Sequence, residues 1–314
     1  MAMAEFEVRT DLALEIRESF EGDGGEIRGV VLEETKGKSS DIKITRVVIK
    51  NEEGAAAMGK PMGTYITLEA PLMSKGDEDY HRDISEELAD HVKEMIAENV
   101  REKKGERLSV LVVGLGNQDV TPDALGPMVV DNLLITRHLK QPKAAVSGIV
   151  PGVMAQTGME TAEIIYGIVE QTQPDAVIVI DALAARSISR LGTTIQLTDT
   201  GIQPGSGVGN HRSKLAEDSL GVPVIAIGVP TVVGAATIVF DTVDALIQAL
   251  SSAKSTEFAA EMIEEMNMEE KHQLIRELLE PRFGPMFVTP KDIDASVKRL
   301  SFTISEGINI AMFA

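Results

Sequence analysis

Residues Ser109 to Pro127 read SVLVVGLGNQDVTPDALGP. The apolar run Val110 to Val113 has no polar interruption and stops at Gly114-Leu115-Gly116-Asn117. Four branched apolar residues bounded by glycine predict a strand buried on both faces, the kind found in parallel sheets covered by helices. After a polar turn, Pro122-Asp123 leads into a segment that can start a helix. In open parallel sheets, sites form where loops leave the carboxyl ends of the strands. Asp123 therefore stands where a carboxylate can do chemistry, and the rest of the chain is read for its partner.

From that strand onward, apolar strands and helices alternate. A helix is expected over about Ala124 to His138, a strand near Val146 and a helix over about Thr161 to Glu170. Strands are expected at Ala176 to Ile180, Thr193 to Leu197 and Val222 to Gly228. This alternation predicts an α/β fold, a mainly parallel central sheet with helices on both faces. Ahead of it, Asp83 to Val100 carries Ile84, Leu88, Val92, Met95 and Ile96 at helical spacing. Further forward, Glu26 to Glu34, Asp41 to Lys50 and Tyr65 to Ala70 read as strands of a small N-terminal antiparallel β layer. The first residues carry one helical stripe, Leu12, Ile16 and Phe20. At the other end, Phe258, Met262, Ile263 and Met266 share a face. A last helix after Thr289-Pro290 and Asp292 carries Ile293, Val297, Leu300, Ile304 and Ile308.

Composition narrows the function. The chain has 314 residues, a formal net charge of −19 and no cysteine. The acidic balance argues against a direct grip on nucleic acid, which needs a basic surface. The lack of cysteine removes disulfides, thiolate catalysis and cysteine-ligated metal sites. The N-terminus lacks the basic and apolar regions of a signal peptide, and no apolar run reaches the ~20 residues that span a bilayer. A soluble cytoplasmic protein with no membrane partner is expected.

The second carboxylate is Asp181, expected at the end of the strand Ala176 to Ile180. Two adjacent parallel strands would bring Asp123 and Asp181 to one rim, where close acids share their protons and can split the work of activating water and protonating a leaving group. The competing reading is that each acid caps a helix N-terminus. Asp199 before Gly201 suits a turn. Arg186 and Arg212 suit either a substrate carboxylate or surface ion pairs. Ser187 and Ser206 lack a nucleophile elbow. His81, His91, His138, His211 and His272 show no metal-ligand spacing, and Gly114-Leu115-Gly116 lacks both the third glycine of a dinucleotide loop and a phosphate-loop lysine. No cofactor is expected.

The segments VRTDLALE (Val8 to Glu15), VGLGNQDVTPDALGP (Val113 to Pro127) and PGVMAQTGMET (Pro151 to Thr161) resemble the germination proteases of spore-forming bacteria. So do IDALAARS (Ile180 to Ser187), TDTGIQPGSGVGN (Thr198 to Asn210), IGVPTVV (Ile227 to Val233) and VTPKDID (Val288 to Asp294). The resemblance spans nearly the whole chain, with Leu250 to Glu264 compressed. It implies an endopeptidase that begins degradation of small acid-soluble spore proteins during germination, in the forespore and spore core. It further implies a homotetramer and an atypical aspartic mechanism whose two acids fall on Asp123 and Asp181. The family is made as a zymogen that removes its own N-terminus, preferring an acid, then a hydrophobic residue, then alanine around the cut. Asp11-Leu12-Ala13 matches, so residues 1–11 are expected to form a propeptide and 12–314 one protease domain. Glu257-Phe258-Ala259 fits the same pattern but is expected to be shielded by folding. The resemblance also implies a fold similar to hydrogenase maturation proteases, and with it an alternative in which Asp123 and Asp181 ligate a metal.

Overall fold

The computed structural model describes residues 10–18, 27–73, 76–101, 107–140, 142–205, 213–235, 237–239, 242 and 286–314. The stripe at Phe258 to Met266, Glu257-Phe258-Ala259 and the compressed region around Leu250 to Glu264 lie outside these residues, as do Ser206, His211, Arg212 and His272.

The strand opening at Ser109 is β4 (Leu108–Gly114). It lies in parallel register between β5 (Ala144–Ile149) and β6 (Ala176–Ala185), and β6 is followed, again in parallel, by β8 (Val224–Gly234). These four strands are the covered block that their apolar sequences predict. Ile178, Ile180, Val110, Val112, Ile225 and Ile227 enter one core layer. Val177, Val179, Leu111 and Val113 enter another on the opposite face, as the two-residue alternation of a strand requires.

The front strands do not form a layer of their own. β1 (Val30–Lys36), β2 (Lys43–Ile49) and β3 (Gly63–Glu69) pair antiparallel in sequence order. β3 then pairs antiparallel with β7 (Thr194–Thr198), which pairs antiparallel with β8. One sheet results, in the order β1-β2-β3-β7-β8-β6-β4-β5, with the two-residue β9 (Phe287–Val288) beside β8. The antiparallel strands thus continue the parallel block through β7.

One face is covered by α3 (Glu78–Asn99) and the C-terminal helix α8 (Ile293–Phe313). Asp77 caps α3 by accepting the Tyr80 N–H at 3.0 Å, and Ile84, Leu88, Val92, Met95 and Ile96 turn inward as their spacing predicts. Val297, Leu300, Ile304 and Ile308 do the same in α8. The helices approach closely because Gly307 has no side chain: a Cβ there would stand 2.8 Å from Leu88. At the same crossing, Ser85 Oγ donates to the Thr303 carbonyl at 2.9 Å. The other face carries α6 (Thr161–Thr172) and the one-turn α7 (Glu217–Leu220), and near the front strands α1 (Ala13–Glu18) and α2 (Glu52–Met58), while the one-turn α5 (Met154–Thr157) meets the loop after β4 through Gln156. No described helix is long and apolar enough to cross a membrane.

Three boundaries differ most from the sequence reading, one of them β8, expected to stop at Gly228 and running on to Gly234. The helix expected to reach His138 is the shorter α4 (Leu125–Asp131). Beyond it the chain is drawn to β5: the Thr136 and Arg137 N–H groups donate to the Val146 carbonyl, both at 2.9 Å, and Thr136 Oγ1 donates to Ala144 at 2.8 Å. The strand expected to end at Ile180 runs on to Ala185, so Asp181 lies inside β6 and does not cap a helix.

Candidate active site

β4 gives out before β6 does. Its last residue, Gly114, pairs with Ile180, and the next N–H, that of Leu115, donates to the Ile180 carbonyl at 2.8 Å. Asp181 is the first residue of β6 beyond this bond. It is 7% exposed, and its Oδ1 accepts the N–H of Ala182 at 2.9 Å. That N–H belongs to a strand position β4 no longer covers, so the carboxylate is drawn to the opening beside β4.

Asp123 reaches the same opening from the loop after β4. Thr121–Asp123 forms one 3-10 turn, with Pro122 supplying its fixed φ, and the turn packs against β6 and β8. Asp123 Oδ2 accepts the Asn117 N–H at 2.8 Å, closing the loop on itself. Gly116 makes this possible. Its φ is +112°, and a Cβ there would lie 1.9 Å from the Asp123 carbonyl oxygen and 3.1 Å from Oδ1, so the carboxyl group sits directly over this glycine.

The strand ends and α4 meet backbone to backbone. A Cβ on Gly126 would lie 2.4 Å from the Leu115 oxygen, 2.5 Å from its nitrogen and 2.7 Å from the Ile180 oxygen. Gly114, Gly116 and Gly126 are therefore spacing elements that hold the loop bearing Asp123 against the strand bearing Asp181, rather than a phosphate cradle. Asp181 alternates with Val177 and Val179, whereas Leu125 and Val129 of α4 join the core of the opposite face. Each acid stands beside the end of β4 with one oxygen fixed by a main-chain N–H.

Other candidates have structural work. Asp199 Oδ1 accepts the Thr64 N–H at 2.8 Å, tying the turn after β7 to β3. Arg186 and Ser187 serve through their main chain, because both N–H groups donate to the Glu15 carboxylate at 2.8 Å. His81 faces Thr303 across the α3–α8 contact at 2.8 Å, where burial and the nearby Arg299 lower its pKa below the usual histidine value. Among the described residues no three His, Asp or Glu side chains gather as a metal set.

Sequence reasoning passed over Glu15, Lys60 and Gln196. The chain from Thr10 lies on the sheet face that carries Asp181. Leu12 is completely buried among Leu183, Ala185, Leu191 and Val233, and Ala13 among Val47, Ile49, Met58 and Tyr65. Glu15, 6% exposed, clamps the end of β6. Arg190 joins Glu18 of α1 at 2.7 Å and Glu69 of β3. Burial works against its charge, but the two carboxylates outweigh that and raise its pKa. An acid on the first helix and a glutamine in a strand carry no motif, and only the fold gives them a place.

Against known proteins, the sequence model of the germination protease family matches residues 7–257 and 248–314. The chain belongs to the germination protease family. A germination protease of Caldanaerobacter subterraneus is 50% identical over 97% of this chain and 94% of its own length. One from Clostridium perfringens is 46% identical over 98% and 95%, and one from Bacillus cytotoxicus 40% identical over 99% and 95%. Among solved structures, a NiFe hydrogenase maturation protease from Thermococcus kodakarensis covers 45% of this chain and 80% of its own, with a TM-score of 0.30 and 19% identity. That likeness is too low to build on. Family membership makes this protein a peptidase of germination, with another protein as its substrate.

Proposed function

We propose that the protein is the endopeptidase that opens the degradation of small acid-soluble spore proteins in the germinating spore core, working as a homotetramer with Asp123 and Asp181 as its catalytic acids. The observation that supports this reading is that Asp123 stands on the loop leaving β4 and Asp181 on β6 just past its last pairing with β4, each accepting a main-chain N–H. One carboxylate takes a proton from water as its oxygen bonds to the scissile carbonyl carbon. The other, protonated, gives its proton to the departing amine as the C–N bond breaks. The water is thereby divided between the new carboxyl and amino ends. Two neighbouring acids titrate as a pair, so such a site runs with one proton between them.

The same centre removes the chain's own N-terminus between Asp11 and Leu12, leaving 12–314 as the protease domain. In support, the segment from Thr10 is seated on the face and strand that carry Asp181. The test is incubation of the purified chain with a small acid-soluble spore protein, wild type beside Asp123→Asn and Asp181→Asn. Both variants should fold as the wild type, leave the substrate intact and keep residues 1–11. Full turnover by both would end this assignment.

A further inference from the structure

The Leu12 N–H donates to Thr10 Oγ1 of the leader at 3.1 Å, and the other polar groups around the Asp11–Leu12 bond are met by residues beyond it. The Asp11 N–H donates to the Ala184 carbonyl at 3.0 Å, and the Ala184 N–H donates to Asp11 Oδ2 at 2.9 Å. A main-chain donor thus holds the acid side chain, and Asp11 adds one rung to β6 where β4 no longer covers it. The Asp11 carbonyl oxygen accepts two bonds, from Lys60 Nζ and from Gln196 Nε2, each at 3.1 Å. Gln196 also reaches past the bond, its Oε1 accepting the Ala13 N–H at 2.7 Å. One side chain therefore fixes the carbonyl before the bond and the amide after the next residue.

The position of Gln196 ties this seat to the acids. In the sheet Gln196 pairs with Gly228, and Gly228 pairs with Asp181. Residues directly paired point to the same face. Gly228 between them offers no side chain, and Leu183 folds over it: a Cβ there would stand 2.5 Å from Leu183. Leu12 packs on that same Leu183. The bond is therefore held over the row that begins at Asp181.

We propose that Lys60 and Gln196 are positioning residues for self-cleavage: they hold and polarise the carbonyl of the Asp11–Leu12 bond, while the Ala184 main chain selects the acid before it. This rests on the self-processing reading above. An ammonium and an amide aimed at one carbonyl oxygen are the donors that stabilise the negative charge this oxygen gains when water adds to its carbon.

The experiment follows the appearance of a new N-terminus at Leu12, by N-terminal sequencing and intact mass, in the full chain and in Lys60→Met, Lys60→Arg, Gln196→Leu and Asp11→Asn. Thermal unfolding is recorded for each. Loss of one oxyanion donor slows acyl transfer by roughly 100-fold or more. Lys60→Met is expected to process about 100-fold more slowly with an unchanged melting temperature, with partial rescue by Lys60→Arg. Gln196→Leu should be slowed as strongly, and Asp11→Asn less. If the wild type is cut at Leu12 and Lys60→Met is cut at the same rate, the positioning role is refuted and self-processing stands. If the wild type is not cut at Leu12, both fall together. Slowing that only tracks a lower melting temperature would refute positioning in favour of anchoring.

Discussion

Gly126→Ala puts one methyl group on the hydrogen bond that joins the two halves of the site. The added carbon would lie 2.4 and 2.5 Å from the oxygen and nitrogen of Leu115 and 2.7 Å from the Ile180 oxygen, where ordinary contact begins near 3.4 Å. All three atoms are backbone, so no side chain can rotate away, and α4 must back off by about 1 Å to clear them. The Leu115–Ile180 bond, worth about 1 kcal/mol, is stretched, and overpacking adds about 1–3 kcal/mol. The better helix propensity of alanine returns up to about 1 kcal/mol, leaving a net loss near 2 kcal/mol. Activity should suffer more, because a misplacement of about 1 Å between catalytic groups can cost ~100-fold. The assay is kcat/KM on a spore protein or a peptide from it, alongside denaturant unfolding. Gly167→Ala is the control: it is exposed in α6 with nothing within 4 Å of its added carbon, and should stabilise by about 0.5–1 kcal/mol without touching turnover. Gly126→Ala with wild-type kcat/KM would refute the view that backbone contact at α4 sets the spacing of the two acids.

Two further outcomes follow. Glu15→Gln should cost about 2–3 kcal/mol in denaturant unfolding, because one of two main-chain donors then faces an amide N–H and the other loses a charged acceptor; a change under about 0.5 kcal/mol would contradict the clamp. His81 has a folded pKa below its ordinary value, owing to burial and then to Arg299. The neutral form is therefore favoured in the fold, and the stability linked to it is complete above about pH 6.5 and is lost as pH falls below that. The melting temperature of His81→Gln should fall less than that of the wild type between pH 7.5 and 5.5. Parallel curves would remove His81 as the cause.

The strands were legible where burial on both faces leaves a continuous apolar run, as in β4, β6 and β8. The two acids were legible because polar residues end such runs. The true end of β6 was not: Ala182 to Ala185 is as apolar as a helix start, and only the pairing with β8 out to Val233 makes it strand. α2 was overlooked although Asn51 caps it through the Gly54 N–H at 2.8 Å and Gly59 closes it at φ 57°. The Asn-Glu-Glu start and following glycine were a readable signal. The joining of β3 to β7 could not be read, because it pairs residues some 130 positions apart and leaves no local trace.

That long-range pairing has a consequence for the life of the chain. The seat of Asp11 is built from Ala184 and Gln196, both encoded after Asp123 and Asp181. β3, which follows Lys60, pairs with β2 and gains its second neighbour only once β7 has emerged. During synthesis Asp11 lacks its Ala184 and Gln196 partners until the ribosome has passed residue 196. The complete seat of Asp11 thus exists only in a chain that already carries both Asp123 and Asp181.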